Sequence, residues 1–109
     1  MADSYADPQT VRDIRTLASR PEDVEVTTRA NCDLWAENLK KEDICDAIVD
    51  WIDAGEHVEQ ITTNNVPDHL GDPAYVMKPE IAGARFYVKV TIRNQGEWRE
   101  LLLIISSHR

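Results

Sequence analysis

Cations are scarce in this 109-residue chain. Twelve Lys/Arg stand against twenty Asp/Glu, a formal net charge of −8. On average such a balance argues against a nucleic-acid binder, because phosphate backbones attract basic surfaces. Cysteine is nearly absent: Cys32 and Cys45 are the only two, and no C-x-x-C pair occurs. That excludes a zinc ribbon or a disulfide framework, and leaves two readings, a pair of free thiols in a reducing compartment or one bridge between helices in an oxidising one. No run approaches the ~20 apolar residues of a membrane-spanning helix. The polar, acidic Met1 to Asp7 lacks the features of a secretory signal. A cytoplasmic protein with no membrane contact is expected. Glycine numbers four, with no Gly-rich phosphate loop, and neither a Ser-based nucleophile motif nor a Cys/His metal pattern is present. No cofactor and no metal site are therefore expected. His69 lies near Asp68 and Asp72, but three such side chains in one loop read as turn formers before metal ligands.

What is present suits one globular domain. A composition of 42% hydrophobic and 29% charged supports a single core at this length. The expected organisation is a flexible arm over residues 1–7 and one domain over 8–109. Charge divides along the chain. Residues 1–60 hold six Lys/Arg against fifteen Asp/Glu, whereas residues 61–109 hold six against five, so the second half can present a locally basic face.

Hydrophobic spacing changes at the same place. Asp7-Pro8 opens a helix that carries Val11, Ile14, Leu17 and Ala18 and closes at Arg20-Pro21. Val24-Glu25-Val26 alternates like an edge strand. Thr28 is expected to cap a second helix with Ala30, Leu34, Trp35 and Leu39. Ile44, Ala47, Ile48, Trp51 and Ile52 form the stripe of a third helix, with Glu42 and Asp43 at its positive end and Gly55 as its stop. From Val58 the period becomes 2. Strands are expected at Val58–Thr63, Ala74–Lys78, Arg85–Arg93 and Trp98–Ser106, with a loop over Asn64–Pro73, a turn over Pro79–Ala84 and a hairpin turn over Asn94–Glu97. Leu101–Ile105 reads as buried on both faces and hence central. The fold class is α+β, with N-terminal helices packed on one face of a small antiparallel sheet.

The strand Arg85–Arg93 sorts its side chains. Phe86, Val88, Val90 and Ile92 point toward the helices, and Arg85, Tyr87, Lys89, Thr91 and Arg93 point the other way. Tyr75 or Lys78 can join that second face, and His108-Arg109 follow the last strand. Cleavage of RNA needs a base for the 2′-hydroxyl, an acid for the leaving oxygen and cations for the phosphate. A Tyr, a His and several Lys/Arg supply these parts. The competing reading is an ordinary solvated sheet face, which also favours Lys and Tyr. The acidic helical face is either simply solvated or a docking surface for a basic partner.

Several strings, in order, resemble the MqsR-like motility quorum-sensing regulator family of mRNA-interferase toxins, which share the small RelE-type fold. They are Val26-Thr27-Thr28-Arg29-Ala30, Ile44 to Val49, Ile61-Thr62-Thr63, Tyr75 with Lys78-Pro79, Phe86 to Val90, and Leu103 to Ser106. A group of small uncharacterised proteins is also similar through Gly71 to Val90. The resemblance implies the toxin of a type II toxin-antitoxin system, an endoribonuclease that cuts mRNA, either free or on the ribosome, and is held by a protein antitoxin. It implies catalytic roles for Tyr87 and His108, where His108 replaces a lysine, and substrate-binding roles for Lys89, Arg85 and Lys78. Where that family often carries a lysine before the Thr-Thr pair, this chain has Glu59. The family's glutamine in the following strand has no clear match here. The alternative is an inactive relative of the same fold that works as a protein-binding module.

Overall fold

The first helix begins where its capping chemistry places it. The Asp7 carboxylate accepts the Thr10 N–H at 2.8 Å, and Pro8 takes the first helical position of α1, Pro8–Ala18. The computed structural model describes residues 4–62, 73–94 and 100–108. The second helix, α2, spans Thr28–Ala36, and its cap is Thr27 rather than Thr28. The Thr27 hydroxyl accepts the Ala30 N–H at 3.2 Å and donates to the Ile105 carbonyl at 3.2 Å, while the Thr27 N–H donates to the Ile104 carbonyl. The sheet therefore fixes which threonine caps. The third helix, α3, spans Lys41–Asp53. At its start the Asp43 carboxylate accepts the Lys40 N–H at 2.9 Å. At its end Gly55 sits at φ +79°, and the Gly55 and Glu56 N–H groups return to the Ile52 and Trp51 carbonyls, a closure that favours glycine.

Six strands form the main sheet: β1 (Ser4–Tyr5), β2 (Val24–Val26), β3 (Glu59–Thr62), β4 (Pro73–Met77), β7 (Tyr87–Asn94) and β8 (Glu100–His108), in the order β1-β3-β4-β7-β8-β2. Two short strands, β5 (Glu80–Ile81) and β6 (Ala84–Arg85), make a separate hairpin. Its turn residues Ala82 and Gly83 both have positive φ, 53° and 82°, the twist a two-residue hairpin loop requires. The α+β class holds, with helices packed on the sheet, but the sheet is mixed. β2 runs parallel to β8, which the long intervening chain from α2 to β7 permits. β8 lies inside the sheet, as its apolar run demands. Ser4 and Tyr5, expected in the arm, pair with Gln60 and Glu59. The 64–72 part of the expected loop, with His69, and residues 95–99, with Trp98, lie outside the described residues, as does Arg109.

The core lies between the helices and one face of the sheet. Ile14, Leu17, Leu34, Ile44, Cys45 and Ile48 meet Tyr75, Met77, Val88, Val90, Leu102 and Ile104. Among the described residues no helix is long and apolar enough to cross a membrane.

Candidate functional site

Residues directly opposite one another in neighbouring strands share a face. On the face away from the helices, Glu59 (β3), Val76 (β4), Lys89 (β7) and Ser106 (β8) form one row. In the next row Tyr87 is opposite His108, and continuing the β4–β7 ladder one residue past Met77 brings Lys78 opposite Tyr87. The Tyr87 and His108 rings stack with centroids 5.4 Å apart and planes 22° from parallel. Four of the five residues singled out from sequence thus meet at one end of this face: Tyr87, His108, Lys89 and Lys78.

His108 reaches that face through a β-bulge. Arg93, Thr91 and Lys89 face Leu101, Leu103 and Ser106, but Val90 faces Ile104, so Ile105 is an extra residue in β8. Unbroken alternation from Leu101 would turn Ser107 outward and His108 toward the helices. The inserted residue reverses the parity. Ser107 is instead fully buried, with its hydroxyl donating to the Ala30 carbonyl of α2 at 3.3 Å, and His108 is exposed beside Tyr87.

The rest of the face differs from the expected open surface. Ala74, Val76, Leu101, Leu103 and Ile105 are all buried yet lie outside the helix-side cluster. Thr91, expected to face solvent with Tyr87, is 2% exposed, and its hydroxyl donates to the Pro73 carbonyl at 2.8 Å. Five apolar side chains on that side require cover, so the accessible chemistry is confined to the Tyr87–His108 end. Arg85 also departs from its expected place. It belongs to β6, not β7. Its guanidinium donates to the Lys78 carbonyl at 2.7 Å and lines a cleft of about 270 Å³ with Ala47, Asp50 and Trp51 of α3. The hairpin before Phe86 breaks the alternation that placed Arg85 beside Tyr87. Tyr75 joins the helix-side core.

Glu59 stands where the family resemblance places a lysine. Its carboxylate stands 3.9 Å from the Lys78 ammonium. Burial first, and then the charge of Glu59, push the Tyr87 phenol above its ordinary range. Tyr87 is therefore a neutral hydrogen-bond donor at physiological pH, not a base. Among the described residues Lys89 has no carboxylate within ion-pair reach. Tyr5 stacks on His57 at 4.7 Å, further along the same side near β3. Among the described residues no three His, Cys, Asp or Glu side chains are grouped to hold a metal ion. The arrangement offers a phenol donor, an imidazole, a carboxylate and two ammonium groups around one open patch, a set suited to proton transfer around a phosphate.

Comparison with known proteins finds no matching family model, no matching curated protein and no matching solved structure. The functional reading rests on the chain's own residues.

Proposed function

We propose that this protein is an mRNA-cleaving endoribonuclease, the toxin of a type II toxin-antitoxin pair, working in the cytoplasm and restrained by a protein antitoxin. The observation that carries the proposal is the Tyr87–His108 stack with Lys89 and Lys78 around it, assembled by the Ile105 bulge. His108 moves a proton, Tyr87 donates a hydrogen bond from its phenol, and the two lysines stabilise charge gained by the phosphate. An open sheet end suits single-stranded RNA, whose bases are accessible without a groove. Arg85 has no part in this patch.

The test is induced expression in a bacterial host. Wild-type protein is expected to arrest growth and fragment mRNA, and Tyr87→Phe to relieve both. Equal arrest by both chains, or intact mRNA under arrest, removes the assignment.

The second reading, an inactive protein-binding relative, draws on the acidic first half and on Trp35, which is 78% exposed on α2. It is favoured if a partner is captured while purified protein leaves RNA intact.

A further inference from the structure

We propose that the cleft between α3 and the β5–β6 hairpin is a docking pocket for one lysine or arginine side chain on a basic segment of a partner protein. The cleft lies on the helix side of the sheet, not on the Tyr87–His108 face, and the inference does not rest on the ribonuclease reading.

Size and lining come first. The cleft encloses about 270 Å³, below the roughly 300–1,000 Å³ of pockets for drug-sized ligands. That volume suits a single side chain. Ala47 and Pro79 line it and are both buried, an apolar surface for the methylene stem of a lysine or arginine. Trp51 lines it as well, and its indole N–H donates to the His57 carbonyl at 2.9 Å. That bond fixes the ring, and an indole attracts an ammonium or guanidinium group.

Charge sets the sign of the occupant. Asp50 from α3, Glu56 from the segment after Gly55 and Glu80 from β5 converge on the same cleft. All three are exposed. Among the described residues none of their carboxylates has an ion-pair or hydrogen-bond partner. Arg85 is the one cation of the lining and pairs with Glu80 in the hairpin. Its guanidinium is nevertheless turned to the Lys78 carbonyl at 2.7 Å. Three carboxylates against one guanidinium leave two negative charges in excess. Trp51 and Arg85 are both anchored to backbone carbonyls, so little ordering remains to be done when an occupant enters.

The surroundings favour a segment of chain over a small free cation. Asp46 is exposed one turn before Asp50 on α3, so the negative charge continues along the helix beyond the cleft. Residues 1–60, which include α3, hold six Lys/Arg against fifteen Asp/Glu. A field of one sign speeds the encounter with an oppositely charged partner and fixes its register. One cation of a basic segment fills the cleft, and the next one along meets Asp46. A free cation uses the cleft alone.

The experiment uses the full chain and a fluorescein-labelled peptide of alternating arginine and serine, read by anisotropy, with the citrulline version of the same peptide as the uncharged control. The indole N–H resonance of Trp51, assigned by its loss in Trp51→Phe, reports on the cleft itself. The arginine peptide is expected to bind and shift that resonance, and the citrulline peptide to do neither. Asp50→Asn, Glu56→Gln and Glu80→Gln combined are expected to weaken binding about tenfold or more. Asp13→Asn, Glu25→Gln and Asp33→Asn combined remove the same charge outside the cleft and are expected to stay within about threefold of wild type. Thermal unfolding checks that both variants fold, and the Trp51 resonance in the wild type decides the matter if the first does not. Equal weakening by the two variants, binding without a shift of Trp51, or no binding overturns the proposal. Spermidine binding as tightly as the peptide also overturns it, in favour of a site for a small cation. None of these outcomes bears on RNA cleavage.

Discussion

At the scale of single residues, burial decides which groups react. Cys45 is 1% exposed in α3, and its surroundings push its thiol from 9.0 to about 11, chiefly by burial. Cys32 is exposed on α2, and both cysteines are free. A thiolate is the reactive form, so a thiol reagent at pH 8 is expected to label one cysteine in the native protein and both in denaturant, with mass spectrometry placing the first label on Cys32. Rapid labelling of Cys45 in the native state would contradict this packing. The same reasoning separates Tyr87 from His108. The phenol is held protonated, so in the proposed reaction it donates a hydrogen bond and the imidazole moves the proton.

At the scale of elements, the bulge in β8 is the feature on which the site depends. Ile105 is the extra residue, so deleting it leaves Ser106, Ser107 and His108 opposite Lys89, Val88 and Tyr87. Proton NMR contacts between the Tyr87 and His108 rings are expected in the wild type and are expected to persist in the deletion variant. Their loss in a variant that still folds would contradict this register. This also marks where the sequence was legible. The α2 and α3 stripes, the Gly55 stop, the Asp7 cap and the inner position of β8 follow from local spacing, because each is set by neighbours in the chain. The juxtaposition of Tyr87 and His108 was reachable by expecting a hairpin, but the bulge was not, since nothing in Leu101 to His108 marks one extra residue. Arg85 was misplaced because alternation was extended backward through a residue that belongs to a different hairpin. The place of Glu59 beside Lys78 depends on a register between strands, which local sequence does not encode. The parallel pairing of β2 escaped for the same reason.

At the scale of the whole molecule, titration sets the alkaline limit of stability. Cys45 keeps its proton longer in the folded chain than in the unfolded one, so its contribution is intact below about pH 9 and is lost as pH rises through about 11. The two-unit gap corresponds to the order of 2–3 kcal/mol. Tyr75 and Tyr87 are displaced upward as well, mainly by burial, and add to the loss above pH 10. Urea midpoints are expected to fall between pH 9 and pH 11, and Cys45→Ala to flatten the lower part of that fall; an unchanged midpoint would contradict the burial of these groups. The net charge of −8 repels RNA from most of the surface, so on the proposed function any binding rests on a few lysines and is expected to show a shallow salt dependence, roughly −0.7 in log–log slope per phosphate neutralised. Whether one end of the sheet cuts RNA, as proposed, is measured directly by cleavage of single-stranded RNA by purified wild-type, Tyr87→Phe and His108→Ala proteins. The expected result is cleavage by the wild type to a 5′-hydroxyl product, reduced about 100-fold or more in His108→Ala and clearly reduced in Tyr87→Phe. Equal cleavage by all three, or none by any, would contradict it.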